Sequence, residues 1–268
     1  LSTLVGADKF NLTEIKVTGD INSSDILCLR EMAGRDKMNV ETSGKLVSLD
    51  LSGANIVAGG DSYYKNSTTN LEFKTTANII SEYMFDHCKL ESFVFPATAT
   101  AIEGGAFGSC YNLKGTLTIP DNITRIGNYA FEACVSLEHV VLPAALKYES
   151  FSKPELGSNV FSGCHALKDI VIPEGVTRIR TNAFRDCFEL TKVTLPTTVT
   201  YIDGDVFKGC KKLAHIFAKR EKAPTANYGT FEDGIYPTCT VHVPAGSVDN
   251  YRGALYWENF TNIVEGTV

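Results

Sequence analysis

One short pair of residues recurs through the middle of the chain and limits what it can fold into. Phe-x-x-Cys occurs at Phe85/Cys88, Phe107/Cys110, Phe131/Cys134, Phe161/Cys164, Phe184/Cys187 and Phe207/Cys210. Successive phenylalanines stand 22, 24, 30, 23 and 23 residues apart. The register extends beyond the pair. Five residues before each Phe is an aliphatic, at Ile80, Ile102, Ile126, Leu156, Ile179 and Ile202. A Leu follows most of the cysteines by three, at Leu113, Leu137, Leu167, Leu190 and Leu213. A unit of this size cannot bury its apolar residues alone, but copies stacked on one another enclose a continuous core.

Each unit then runs into a short alternating stretch that ends at proline. Examples are Phe93-Val94-Phe95-Pro96, Val140-Val141-Leu142-Pro143 and Val193-Thr194-Leu195-Pro196. Alternation with a period of two makes each stretch a strand with one buried face. Proline has no N–H to give a ladder and stops it. The Ile-x4-Phe-x-x-Cys arm returns the chain through a turn, and strands of successive units lie parallel. The sequence therefore predicts a strand-rich repeat solenoid.

The unit Ile126-Gly127-Asn128-Tyr129-Ala130-Phe131-x-x-Cys134, followed by Leu137-x-x-Val140-x-Leu142-Pro143, resembles the BspA-like leucine-rich repeat of bacterial surface proteins. The likeness covers about residues 80–218, with weaker likeness at Leu29–Gly34, Leu49–Ala54 and from Val241 onward. It implies a leucine-rich-repeat solenoid of the horseshoe type and a secreted or surface-exposed protein that binds or adheres to a host or microbial surface macromolecule. A spacer module of a larger surface protein is the alternative. No catalysis and no cofactor are implied.

The expected organisation is one structural domain. Residues 1–56 would form an N-terminal cap with a degenerate first rung, 57–79 a polar loop, 80–218 the repeats and 219–268 a C-terminal cap. Ser24 is a candidate N-cap for a helix carrying Ile26, Leu29 and Met32, and Ser247 for a short helix reaching about Leu255. Trp257, the only tryptophan, would close the core with Phe260 and Ile263. The chain begins at Leu1 without a Met, and a removed secretion signal is the expected explanation.

Composition removes other classes. A net charge of −6 argues against a nucleic-acid partner, which calls for a basic stripe. No apolar run approaches the length of a membrane span. No nucleophile elbow, Walker loop or dinucleotide fingerprint is present. Six of the eight cysteines belong to the repeat. Stacked units hold their Cβ vectors parallel, a poor arrangement for disulfides, so these thiols are expected reduced and buried. The five histidines show no metal-ligand spacing and are expected to face solvent.

The best candidate site is the concave strand face, where residues between the buried aliphatics point outward. One outward column reads Val94, Thr118, Val141, Val171, Thr194, Phe217, and its neighbour includes His139, Asp169, Lys192 and His215. A protein or glycan ligand is the expected occupant. Tyr63 and Tyr64 in the first polar loop, and Tyr148 and Phe151 in the seven-residue insertion, are further candidates, since insertions in repeat proteins often map to a binding face.

Overall fold

The computed structural model describes residues 1–144, 146 and 155–266. The chain winds as a parallel-strand solenoid with little helix. One side carries the longer strands. Glu14–Ile21, Ser48–Ile56 and Ser92–Val94 form a three-stranded parallel sheet. Gly115–Thr118, Leu137–Val141, Asp169–Val171, Lys192–Leu195, His215–Ala218, Thr240–Val243 and Asn262–Glu265 form a seven-stranded one, in that order. The predicted single sheet is thus interrupted once. Gly115 starts its strand in the left-handed region at φ 68°. Only the Lys114 N–H, donated to the Glu91 carbonyl at 3.1 Å, continues the pairing there. On the opposite side run ladders of two-residue strands, from Ile79–Ile80 to Arg125–Ile126 and from Glu155–Leu156 to Thr225–Ala226. The gap between them falls at the predicted insertion.

The phenylalanines stack along the axis of the solenoid. From Phe85 to Phe207 successive ring centroids are 5.3–5.8 Å apart, and all but the first pair lie within 8° of parallel. The stack continues past the last Phe-x-x-Cys unit to Phe231, 5.9 Å from Phe207. All these rings are buried. Burying one such side chain contributes about 1.5–3 kcal/mol, and each parallel pair adds roughly 0.5–1.5 kcal/mol.

The turn around each Phe has a backbone rule that sequence inspection missed. The residue two before each Phe is left-handed: Tyr83, Gly105, Tyr129, Asn159, Asn182, Asp205 and Gly229. So is the residue two after it: His87, Ser109, Ala133, Gly163, Asp186 and Gly209. This conformation turns alternate N–H groups toward the next unit. Phe107 donates to the Ala130 carbonyl at 2.8 Å and Ser109 to the Glu132 carbonyl at 2.7 Å. The bias toward Asn, Asp and Gly at these sites was the available signal.

The cysteines are free and buried, as the repeat predicts. Each thiol from the second unit onward donates to the Phe carbonyl of the unit before. The Sγ atoms of Cys110, Cys134, Cys164, Cys187 and Cys210 lie 3.1–3.3 Å from the carbonyl oxygens of Phe85, Phe107, Phe131, Phe161 and Phe184. Burial pushes Cys88 up to about 11 and Cys164 up to about 12, and raises Cys110, Cys134 and Cys187 well above the usual thiol range. Cys110, Cys134, Cys164 and Cys187 therefore stay protonated as donors.

A stack whose turns donate in one direction leaves carbonyls of its first turn without partners, and side chains supply them. The helix Ser23–Met32 delivers Arg30, which is fully buried. Its guanidinium Nη1 donates to the carbonyls of Tyr83 at 2.9 Å and Met84 at 3.2 Å, and its Nη2 to Asn39 Oδ1 at 3.0 Å. The Tyr63 hydroxyl donates to the Glu82 carbonyl at 2.6 Å, and Arg35 Nε to the His87 carbonyl at 3.1 Å. The helix starts at Asn22 rather than at Ser24. Asn22 Oδ1 accepts the Ser24 N–H, and Asp25 Oδ2 accepts the Asn22 N–H, a capping box that Ser24, two residues later, does not make. At the far end Trp257 packs edge-on against Phe231 and donates to the Pro224 carbonyl at 2.8 Å. Phe260 and Ile263 are buried beside it.

Candidate binding face

The seven-stranded sheet turns one set of side chains inward and the other to solvent. Inward go Leu117, Val140, Ile170, Val193, Ile216, Val241 and Ile263, all buried. Register then fixes the outward columns. Thr118 pairs with Val141, Val171 with Thr194, and Thr194 with Phe217. The three predicted valines are exposed: Val94 by 48%, Val141 by 51% and Val171 by 57%. Val94 belongs to the smaller sheet, across the interruption. Thr118 is exposed as expected.

Two column members depart from expectation. Thr194 is buried, at 9% exposure, in register between Val171 and the bulkier Phe217. Phe217 is half-buried and its faces are occupied. His242 stacks on it at 4.3 Å and 7°, while Lys192 Nζ lies 4.8 Å from its centroid. These two come from the strands on either side, so Phe217 offers solvent its edge rather than a flat platform.

The polar column brings titratable side chains together between strands. His139 Nδ1 lies 3.0 Å from Asp169 Oδ2. Beside this pair is a groove of about 610 Å³, lined among the described residues by His139, Val141, Leu142, Val171, Pro173, Glu174 and Lys219. Its walls are mainly apolar, with the His139–Asp169 contact on one side and Lys219 on the other. Further along, His215 Nδ1 meets His242 Nε2 at 3.2 Å. Burial, and then the neighbouring His215, hold His242 below the usual imidazole range. The sequence showed no such pair, because 27 residues separate the two. Aligning Val241 with Ile216 as equivalent buried positions would have placed His242 beside Phe217.

The loop tyrosines are not exposed. Tyr64–Lys65 and Glu72–Phe73 pair as a small antiparallel hairpin. It folds Tyr63 and Tyr64 back onto the first turn, where both are buried. Tyr64 stacks on Tyr83 at 5.2 Å and lies beneath the Arg30 guanidinium at 5.1 Å. The orphan carbonyl of Glu82 and the buried guanidinium draw these rings inward. Tyr148 and Phe151 lie outside the described residues. A second concavity, of about 410 Å³, sits on the turn side between Tyr228, Glu232, Tyr236 and Tyr256, and no motif marked it.

Among solved structures, the chain resembles a leucine-rich cell-surface protein of Faecalibacterium prausnitzii, with 25% identity over 77% of this chain and a TM-score of 0.49. A leucine-rich-repeat protein of Bacteroides ovatus matches 71% of it with 25% identity and a TM-score of 0.42. One of Eubacterium ventriosum matches 71% with 21% identity and a TM-score of 0.51, a likeness of fold. The chain spans 48%, 59% and 56% of these proteins' lengths, respectively. No curated protein sequence matches it. The model of the BspA type leucine rich repeat region matches residues 56–153 and 150–235, in six copies. With a match across well over half its length, and with the stacked Phe and Cys columns that the repeat requires, the chain belongs to the BspA-type leucine-rich-repeat family.

Proposed function

We propose that the protein is a binding module displayed at a bacterial cell surface, which adheres to a protein or glycan of a host or neighbouring cell and catalyses no reaction. The observation that carries this reading is the exposed pair Val141 and Val171 beside the His139–Asp169 contact and the adjoining groove. Apolar side chains in register, bordered by charge, suit a macromolecular surface better than a small metabolite. The described helices include none long and apolar enough to cross a membrane. In this reading residues 1–56 and 219–268 close the two ends of the repeat array as caps.

Binding to arrays of extracellular-matrix proteins and glycans tests it. The double variant Val141→Glu, Val171→Glu alters only exposed side chains and should fold. Loss of a wild-type signal in that variant supports the face as the binding surface; an undiminished signal refutes it. A spacer role within a larger surface protein is the second reading. It is favoured by the fact that the repeated residues are all accounted for by packing and hydrogen bonding within the stack. A wild-type chain that binds nothing on the arrays supports it.

A further inference from the structure

The structure points to a metal-binding site on the outer sheet face, and we propose that His215 Nδ1 and His242 Nε2 together hold one divalent ion of the late first-row transition series, Cu(II), Ni(II) or Zn(II). The inference does not depend on the face binding a macromolecule. It starts from spacing. The two nitrogens are 3.2 Å apart. Two imidazole nitrogens bound at about 2.0–2.1 Å in adjacent positions of one ion stand about 2.9–3.4 Å apart, from square-planar to tetrahedral angles. The pair therefore already has the separation that a shared ion requires.

The surroundings favour the same conclusion. His242 cannot swing far, because Phe217 stacks on it. His215 is exposed, so its ring can tilt until both lone pairs meet at a common point. The rings face each other nitrogen to nitrogen. In the tautomers that carry the hydrogen on the far nitrogen, both facing nitrogens offer a lone pair to an ion. Lys192 is the cross-strand neighbour of His215, and its ammonium lies over the Phe217 ring, 4.8 Å from the centroid. Imidazole suits Cu, Ni and Zn, and no thiolate competes because all eight cysteines are buried. Among the described residues no third His, Cys, Asp or Glu completes a cluster. The remaining coordination positions thus stay open to water or to a donor from a binding partner.

Titration of the folded chain with CuCl2 or ZnCl2 in a non-coordinating buffer at neutral pH, followed by calorimetry, tests this. Copper-bound samples are also read by electron paramagnetic resonance. The expected result is one ion per chain, with nitrogen hyperfine structure from two imidazoles. Affinity should fall at least tenfold in His215→Ala and likewise in His242→Ala, and stay unchanged in His139→Ala. It should also weaken as pH drops through the imidazole range, where protons compete for the same nitrogens. Circular dichroism confirms that each variant remains folded; both residues lie on the surface. Wild-type affinity in either His215→Ala or His242→Ala overturns the proposal, as does absence of binding at millimolar metal.

Discussion

Replacing Arg30 with Met should loosen the first turns of the solenoid while leaving the far end intact. Arg30 is fully buried, and its Nη1 serves the Tyr83 and Met84 carbonyls. Met fills much of the same volume but donates nothing. The Met84 carbonyl, stripped of its donor, costs about 1–3 kcal/mol, while the Tyr83 carbonyl keeps the Asp86 N–H; the contact over the Tyr64 ring adds about 1 kcal/mol. Relief from burying a charge offsets part of this, since Arg30 Nε already lacks a partner. A net loss of about 2 kcal/mol is expected. In a stack whose units contact only neighbours, that loss acts locally. Amide hydrogen exchange should accelerate across residues 82–110, whereas Trp257 fluorescence should report a nearly unchanged transition. Unaltered exchange at Phe85 and Phe107 would refute the idea that Arg30 stands in for a missing turn. So would a uniform loss of protection along the whole chain.

Two further outcomes follow from the turns. Burial raises the pKa of the Cys88 and Cys164 thiols in the fold, so the native state keeps protons that the unfolded chain releases above the ordinary thiol pKa of 9.0. Stability from this source is fully present below that pH and falls as pH rises toward about 11 for Cys88 and about 12 for Cys164, by about 1.4 kcal/mol per thiol per pH unit. Urea unfolding at pH 8 and pH 10, with thiol-reagent kinetics alongside, checks it; equal stability at the two pH values, or labelling faster than unfolding, contradicts it. Ala133 sits at φ 56°, where a Cβ costs about 1–2 kcal/mol and Gly costs none. After the entropy that Gly adds to the unfolded chain, Ala133→Gly should stabilise by about 0.5 kcal/mol, measured as a higher urea midpoint.

The columns that repeat were legible because burial selects one residue type at one spacing. Phe85 to Phe207 and Cys88 to Cys210 announce themselves in this way, as do the inward strand positions. What the sequence hid was set by neighbours in space. Thr194 looks like any outward threonine until Phe217 is placed beside it. Tyr63 and Tyr64 read as loop surface because the carbonyl and guanidinium that capture them come from Glu82 and Arg30, each at least 18 residues away in the chain. Phe231 escaped because its unit has Gly234 where a cysteine would complete the motif, though Ala226 holds the usual aliphatic position. The His215–His242 contact needed the register between two strands, which no motif encodes.

From Phe161 to Phe207, where both sheets run unbroken, the forward hydrogen bonds and the thiol bond back to the preceding Phe make each turn interchangeable with its neighbour. A cut at two equivalent positions, such as Cys164 and Cys187, removes one whole turn and still leaves matching surfaces to rejoin. A duplicated turn would be accepted on the same terms. Gain or loss of units therefore changes how far the outer face extends without asking the core to be redesigned. Arg30 and Trp257 have no such freedom. Each answers a set of groups that occurs once, at one end, so the length of the array can drift while the residues that finish it stay fixed.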